Sequence, residues 1–280
     1  MIRDSLPYVP TGHWHGELAL GYACLNGRTL PVHRWHRGSL RIQKHSHPEG
    51  DALCHQLISI PPQGIAGSER QSLHLWLAGG CRVLATTDKA TLWHDGRGDS
   101  ASLHLVIELS RDSHLEWLPR ENTLLPGADA VIDKRFELEA GATLLASDVI
   151  SLGSERERFS HGCWRQHYMI QREGRPAWRE NRVMSSGSWE LDAPTGLGGR
   201  SVCATLLWVG PDLPAATIAR CRAIGLLGDE ECGQTEGIWL ARHICDGIDE
   251  ANTWVRALWH ELRPHTGQRA ACPPRAWQES

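Results

Sequence analysis

The side chains best suited to chemistry are histidines, cysteines and carboxylates, and they fall in short-range pairs. His13-x-His15, His33-x-x-His36, His45-x-His47, Cys54-His55 and His161-x-Cys163 are pairs of borderline ligands of the kind that suit nickel or zinc. On a strand, residues two apart project to one face, so an HxH pair makes half a metal site. No HExxH accompanies them, so hydrolytic zinc is not indicated, and no CxxC marks a zinc knuckle or a redox dithiol. Asp148 and Glu180 are carboxylates of the kind a glycosidase pairs. No GxSxG elbow is present, and neither GxxxxGK[ST] nor GxGxxG occurs. The Gly64-Ile65-Ala66-Gly67 loop therefore reads as a tight turn, not a phosphate cradle.

Composition narrows the class. Of 280 residues, 22% are charged with a net charge of −4, an ordinary globular balance without the basic footprint of a nucleic-acid binder. No apolar run reaches the roughly 20 residues that span a bilayer, and the N-terminus lacks a charged-then-apolar signal pattern. The nine cysteines are irregularly spaced and odd in number, which fits reduced, mostly buried thiols. Thirteen tryptophans stand against five Tyr plus Phe, suggesting core or interface anchors, or else stacking platforms for sugars.

The elements that must position these residues are mainly strands. Leu73, Leu75 and Leu77, then Leu103, Leu105, Ile107 and Leu109, recur at period two. Segments 72–87, 102–120 and 134–149 share a plan of strand, short turn and second strand. Their turns near Gly80, Ser113 and Gly141 lie 33 and 28 residues apart. This is the signature of stacked layers. The expected fold is an elongated helicoid stack of β-sheets, all-β with two helices in the C-terminal region, as a single domain over residues 1–280. The helices are expected at Pro214–Leu227 and Asp249–Arg263, the second capped by Asp246 or Asp249, with a strand at Gly237–Ile244 between them.

A series of short motifs then carries a resemblance. Pro48-Glu49-Gly50, Cys54-His55, Pro61-Pro62, Gly64–Gly67 and Thr86-Thr87 occur in order. Gly27-Arg28-Thr29 and Gly38–Lys44 flank them upstream, Leu115–Pro119 with Glu121 downstream, and Leu262-Arg263-Pro264 and Pro274–Trp277 close the chain. This series resembles the UreD (UreH) family of urease accessory proteins along nearly the whole length. The resemblance implies a helicoid all-β fold and a cytoplasmic, non-catalytic nickel-insertion chaperone. It implies assembly with UreF and the GTPase UreG on apo-urease, with nickel in transit through an internal channel and no permanent cofactor.

By the same resemblance Glu69, Asp148 and Glu180, with His55, are the expected nickel-transit contacts, and Glu69 stands at the acid of the family's GGD. The proline-glycine loop would aim Glu69 toward a passage or a partner surface. Trp254 and Trp259, on the last helix, are the expected partner-binding residues. The chain departs from the family pattern at Gly67-Ser68-Glu69, at Leu92 where the family has Lys, at Arg120 in place of Gln, and at His45-x-His47. The alternative reading is a hydrolase on a β scaffold, with the tryptophans as its carbohydrate platform.

Overall fold

A computed structural model describes residues 15–154, 158–224 and 232–277. His13 and the 225–227 end of the expected first helix lie outside them. Each of the three look-alike segments gives one strand to each of two sheets. The first supplies β5 (Arg70–Leu77) and β6 (Arg82–Thr87), the second β8 (Ala101–Leu109) and β9 (His114–Trp117), and the third β11 (Asp129–Leu138) and β12 (Thr143–Leu152). Within each sheet the successive strands pair in parallel. Leu73 lies beside Leu105, 32 residues on, and Leu105 beside Lys134, 29 residues on. The weak repeat in sequence is thus one coil of a β-solenoid-like stack.

The other strands extend these sheets. β1 (His15–Leu25), β2 (Arg28–Arg37), β13 (Cys163–Arg172) and β14 (Arg175–Ser185) complete sheet A in the order β14-β13-β11-β8-β5-β1-β2. Sheet B gains β3 (Arg41–Ile42), β4 (Leu53–Ser59), β15 (Val202–Val209), β16 (Cys232–Thr235) and β17 (Ile238–Cys245). Its order is β16-β17-β15-β12-β9-β6-β4-β3. Short strand β10 (Asn122–Leu124) runs beside the end of β12, and β7 (Thr91–Trp93) pairs with β10.

Antiparallel hairpins terminate the parallel stack, and their two-residue turns explain why. Asn26-Gly27, Glu173-Gly174 and Glu236-Gly237 all have positive φ at both positions. That conformation matches the twist of the flanking strands, and glycine takes the second position without strain.

The main core fills the space between the sheets. Leu73, Leu75 and Leu77 from β5 meet Leu105, Ile107 and Leu109 from β8 and Phe136 and Leu138 from β11. Val83, Ala85, Leu115, Trp117, Leu144 and Ala146 close over them from sheet B. The opposite face of sheet B is also apolar, because helices cover it. α1 (Trp189–Asp192) is a single turn, whereas α2 (Ala215–Arg222) and α3 (Ile248–Thr266) are the two expected helices. The first turn of α3 follows Gly247, with no side-chain cap, so neither Asp246 nor Asp249 caps it.

α3 also runs past Pro264, where the sequence suggested an end. Pro264 is exposed and sits in the last turn, where a missing N–H costs one bond to an already solvated carbonyl. Thr266 donates to the Leu262 carbonyl and the Gly267 N–H to that of Arg263, so the helix closes beyond it. No helix of the described residues is long and apolar enough to cross a membrane.

Of the twelve tryptophans among the described residues eight are buried, so most of this enrichment is packing. Among them, Trp254 and Trp259 turn inward from α3 onto Leu206, Trp239 and Ala241. Their expected place on a partner-facing surface is thereby corrected, since the amphipathic stripe of α3 faces the sheet. Phe136 is fully buried and stacked on Tyr168 at 5.1 Å. Phe136→Ala should cost about 3–5 kcal/mol of stability. Val183→Ala, on the exposed face of β14, should cost less than about 0.5 kcal/mol. Urea unfolding of the two variants measures this contrast.

Candidate functional site

Strand register decides which charged groups meet. On sheet A, Lys134 pairs with Tyr168, which pairs with Glu180, so the three form one row facing inward. On sheet B, Asp148 pairs with Thr205 and Thr205 with Arg242, forming the facing row. A polar layer thus crosses an otherwise apolar sandwich. Lys134 Nζ lies 2.5 Å from Asp148 Oδ1, both side chains being buried, and Gln166 donates to Asp148 Oδ2 at 2.7 Å. Arg242 reaches both oxygens of Glu180 at 2.9 and 3.0 Å, and Arg182 adds a contact at 2.9 Å.

Asp148 and Glu180, expected as a functional pair, therefore meet at one small cavity. Gln166, Tyr168, Trp178 and Thr205 complete much of its wall, and its volume of about 10 Å³ is near that needed for one water. The two carboxylates and the desolvated phenol oppose one another. Burial, with Asp148 and Glu180 beside it, pushes the Tyr168 hydroxyl well above its ordinary value. A second cavity of about 40 Å³ lies between the sheets, lined by Pro61, Ile65, Thr87, Trp117, Arg120 and Lys134 among others. Lys134 lines this one and its partner Asp148 the other, so their ion pair stands between the two spaces.

The other two expected contacts lie elsewhere. His55 pairs in register with Leu84, Leu84 with Glu116, and Glu116 with Leu145, a row on the helix-covered face of sheet B. Asp148 occupies the opposite face, because strand residues alternate. His55 is thus not beside Asp148 and Glu180. It contacts Glu49 at 2.6 Å, and Glu49 accepts from Arg263 at 2.7 Å. Arg263 is fully buried and donates in turn to Glu116 at 3.1 Å, which also accepts from Trp259 at 2.6 Å. Cys54, next to His55 in sequence, faces the core, where burial and Cys81 push its thiol up to about 12.

Glu69 is half-buried in the loop before β5 and does not line the small cavity. Burial raises its carboxyl, against the pull of the Ala66 backbone and His94. The Pro-Pro-Gly loop before it is a structural turn. Gly64 has φ +84°, and an added Cβ would lie 2.5 Å from the Leu92 carbonyl oxygen. Ile65 is buried and bridges to Trp93, with its N–H on the Leu92 carbonyl.

Sequence reasoning missed the cations. Lys134 stands two residues before Phe136 in the same alternation, and that inward position was the available signal. Arg182, two residues after Glu180 on β14, shares its face by the same alternation. Arg242 and Arg263 gave no signal, because their partners are more than 60 residues away.

Burial of Arg263 between two carboxylates makes each partner expensive to remove. Arg263→Met should destabilise the chain by about 3–5 kcal/mol, since it strands Glu116 and Glu49. Burial opposes the charge on Glu116, but the nearby His114 and Arg263 and the hydrogen bond from Trp259 hold its carboxyl below 4.5. Burial holds His55 below 6.5, outweighing Glu49. Both folded values lie under the unfolded ones, so both contributions are complete above the unfolded value and shrink as pH falls. Stability should therefore decline first below about pH 6.5 and again below about pH 4.5. In urea melts from pH 7.5 to 4, His55→Gln should flatten the first decline and leave the second.

Comparison with known proteins identifies the family. Residues 15–278 match the family model described as UreD urease accessory protein. A urease accessory protein UreD of Pseudomonas fluorescens Pf-5 is 37% identical over 269 residues, covering 95% of this chain and 96% of the relative. UreD 2 of Pseudomonas syringae pv. syringae B728a is 35% identical over 271 residues, covering 95% and 96%. UreD of Nitrosococcus oceani is 34% identical over 267 residues, covering 94% and 90%. A match of this extent, on a β-solenoid-like stack that draws together Glu49, His55, Glu116 and Arg263 of the motif series, makes the chain a member of the UreD family of urease accessory proteins.

Proposed function

We propose that the protein is a non-catalytic scaffold in urease maturation that helps deliver nickel to apo-urease, in complex with UreF and the GTPase UreG, in the cytoplasm. The observation that carries this reading is the meeting of Asp148 and Glu180, one from each sheet, at an interior cavity. A transfer route needs oxygen ligands that hold Ni²⁺ weakly, and paired carboxylates in a small wet space meet that need. Each carboxylate is already matched by a cation, Asp148 by Lys134 and Glu180 by Arg182 and Arg242. Nickel would displace these cations only transiently, which favours passage over capture. The Lys134–Asp148 pair, standing between the two cavities, would be the gate. Glu69 and His55 would act outside this layer.

The hydrolase reading gains little support. Its sugar platform would need exposed aromatic faces, and most of the tryptophans are inside.

Deletion of the gene should leave urease protein that accumulates with little nickel, and restoration should recover both nickel and activity. In the restored strain, Lys134→Met/Asp148→Asn removes both charges of the gate without stranding either. That variant, and Glu180→Gln, should lower urease nickel content several-fold, with the variant chains still folded and still bound to their partners. Normal nickel loading in the deletion strain would overturn the reading. Normal loading in all the variants would overturn the assigned route.

A further inference from the structure

β17 carries a second set of metal-ligand types on the face of sheet B that α3 covers. Arg242 points inward to Glu180, so His243 and Cys245 project to the other side. Only Asp246 and Gly247 link β17 to α3, and this short link brings Glu250, the third residue of the helix, back over the strand end. One ligand atom from each of His243, Cys245 and Glu250 lies within 4.8 Å of the others.

Each group is placed as a ligand would be. The His243 ring stacks on Trp254, with centroids 5.4 Å apart and planes at 22°, which fixes its orientation. Its Nε2 lies 3.0 Å from Glu250 Oε1, while its Nδ1 is buried without a hydrogen-bond partner in a residue only 6% exposed. Cys245 is a free, buried thiol that donates to the Gly247 carbonyl at 3.4 Å. The Glu250 side chain is 56% exposed, so its carboxylate lies at the solvent edge of the cluster.

We infer that His243, Cys245 and Glu250 form a three-ligand site for a borderline divalent transition metal ion, zinc or nickel, with a fourth position open toward solvent. One nitrogen, one sulfur and one carboxylate oxygen are the donors such ions accept. Around a tetrahedral ion with bonds of about 2.0–2.3 Å, ligand atoms sit about 3.3–3.8 Å apart. Closing the present spread takes about 1 Å of movement, which a rotation of the exposed Glu250 side chain would supply. Three protein ligands and one open position describe a site that can exchange its ion or accept a ligand from another protein. The site is separate from the Asp148–Glu180 cavity, on the opposite face of the sheet, and the inference does not rest on nickel delivery through that cavity.

The test uses the full-length chain, purified under reducing conditions and stripped with a chelator. It is then dialysed separately against Zn²⁺, Ni²⁺ and Co²⁺, with metal per chain measured by elemental analysis. The unaltered chain should hold one equivalent more than Cys245→Ser in at least one of the zinc and nickel arms, and those arms show which ion is preferred. The Co²⁺ form should show a thiolate charge-transfer absorption that Cys245→Ser abolishes. Glu250→Gln, at an exposed position, should keep that absorption and weaken binding by about tenfold or more, an effect of roughly 1.4 kcal/mol. Circular dichroism verifies the fold of each variant, and if Cys245→Ser does not fold, Glu250→Gln and the cobalt spectrum of the unaltered chain decide. Equal metal content in all folded chains, or a cobalt complex without the thiolate band, would overturn the inference. His243 and Glu250 would then be an ion pair at a helix start and nothing more.

Discussion

The structure depends on one guanidinium. Arg263 is fully buried on the outer side of sheet B, and a charge so placed costs several kcal/mol unless it is paired and hydrogen-bonded. Its partners come from three distant places: Glu49 before β4, Glu116 on β9, and the Ala270 carbonyl beyond α3. The guanidinium also lies 4.9 Å above the Trp259 ring. None of these segments can leave without stranding a charge. The docking of α3, the path of the 44–51 loop and the position of the C-terminal segment are therefore one coupled arrangement. Sheet B needs that arrangement, because its outer face carries Leu84, Leu145, Leu206 and Trp208, which α2, α3 and the C-terminal Trp277 help to shield.

Alternation along strands lets the same sheet serve two separate charge systems. β12 sends Leu145 outward to α3 and Asp148 inward to Lys134. β17 sends Arg242 inward to Glu180 and His243 outward to Glu250. The two systems face away from each other across one layer of backbone. A one-residue slip in register would exchange them, placing apolar side chains against charges on both sides. The polar layers thus add register specificity to a repeat whose apolar coils resemble one another.

The coils were legible in the sequence because each is built from local signals. Period-two leucines and small turns placed the strand pairs, and turn spacings of 33 and 28 residues anticipated register offsets of 32 and 29. Both C-terminal helices and the strand between them were legible for the same reason. Pairings across coils were not. Asp148 and Glu180 were visible as acids, but Lys134 and Arg242 became their partners only through a register that no local pattern encodes. His55 stood beside Cys54 in sequence, and alternation sent the two to opposite faces. Trp254 and Trp259 looked like surface anchors because their cover, the outer face of sheet B, is assembled from strands far away in the chain.

The motif series now divides physically. Glu49, His55, Glu116 and Arg263 belong to the network that docks α3. Pro61, Ile65, Thr87, Trp117 and Pro119 belong to the wall of the larger interior cavity. Gly64 permits the close approach that seats Ile65 beside Trp93, so the proline-glycine loop closes that wall. The motifs therefore build a container and lock its lid, and few of their side chains end in a free ligand atom. For the proposed role in nickel transfer, this division is physically reasonable. Strong, unpaired ligands along the wall would hold the ion, whereas carboxylates already balanced by Lys134 and Arg242 bind it only in competition with the protein's own cations. The tightness of that internal pairing, more than the number of acids, would set how readily an ion moves through.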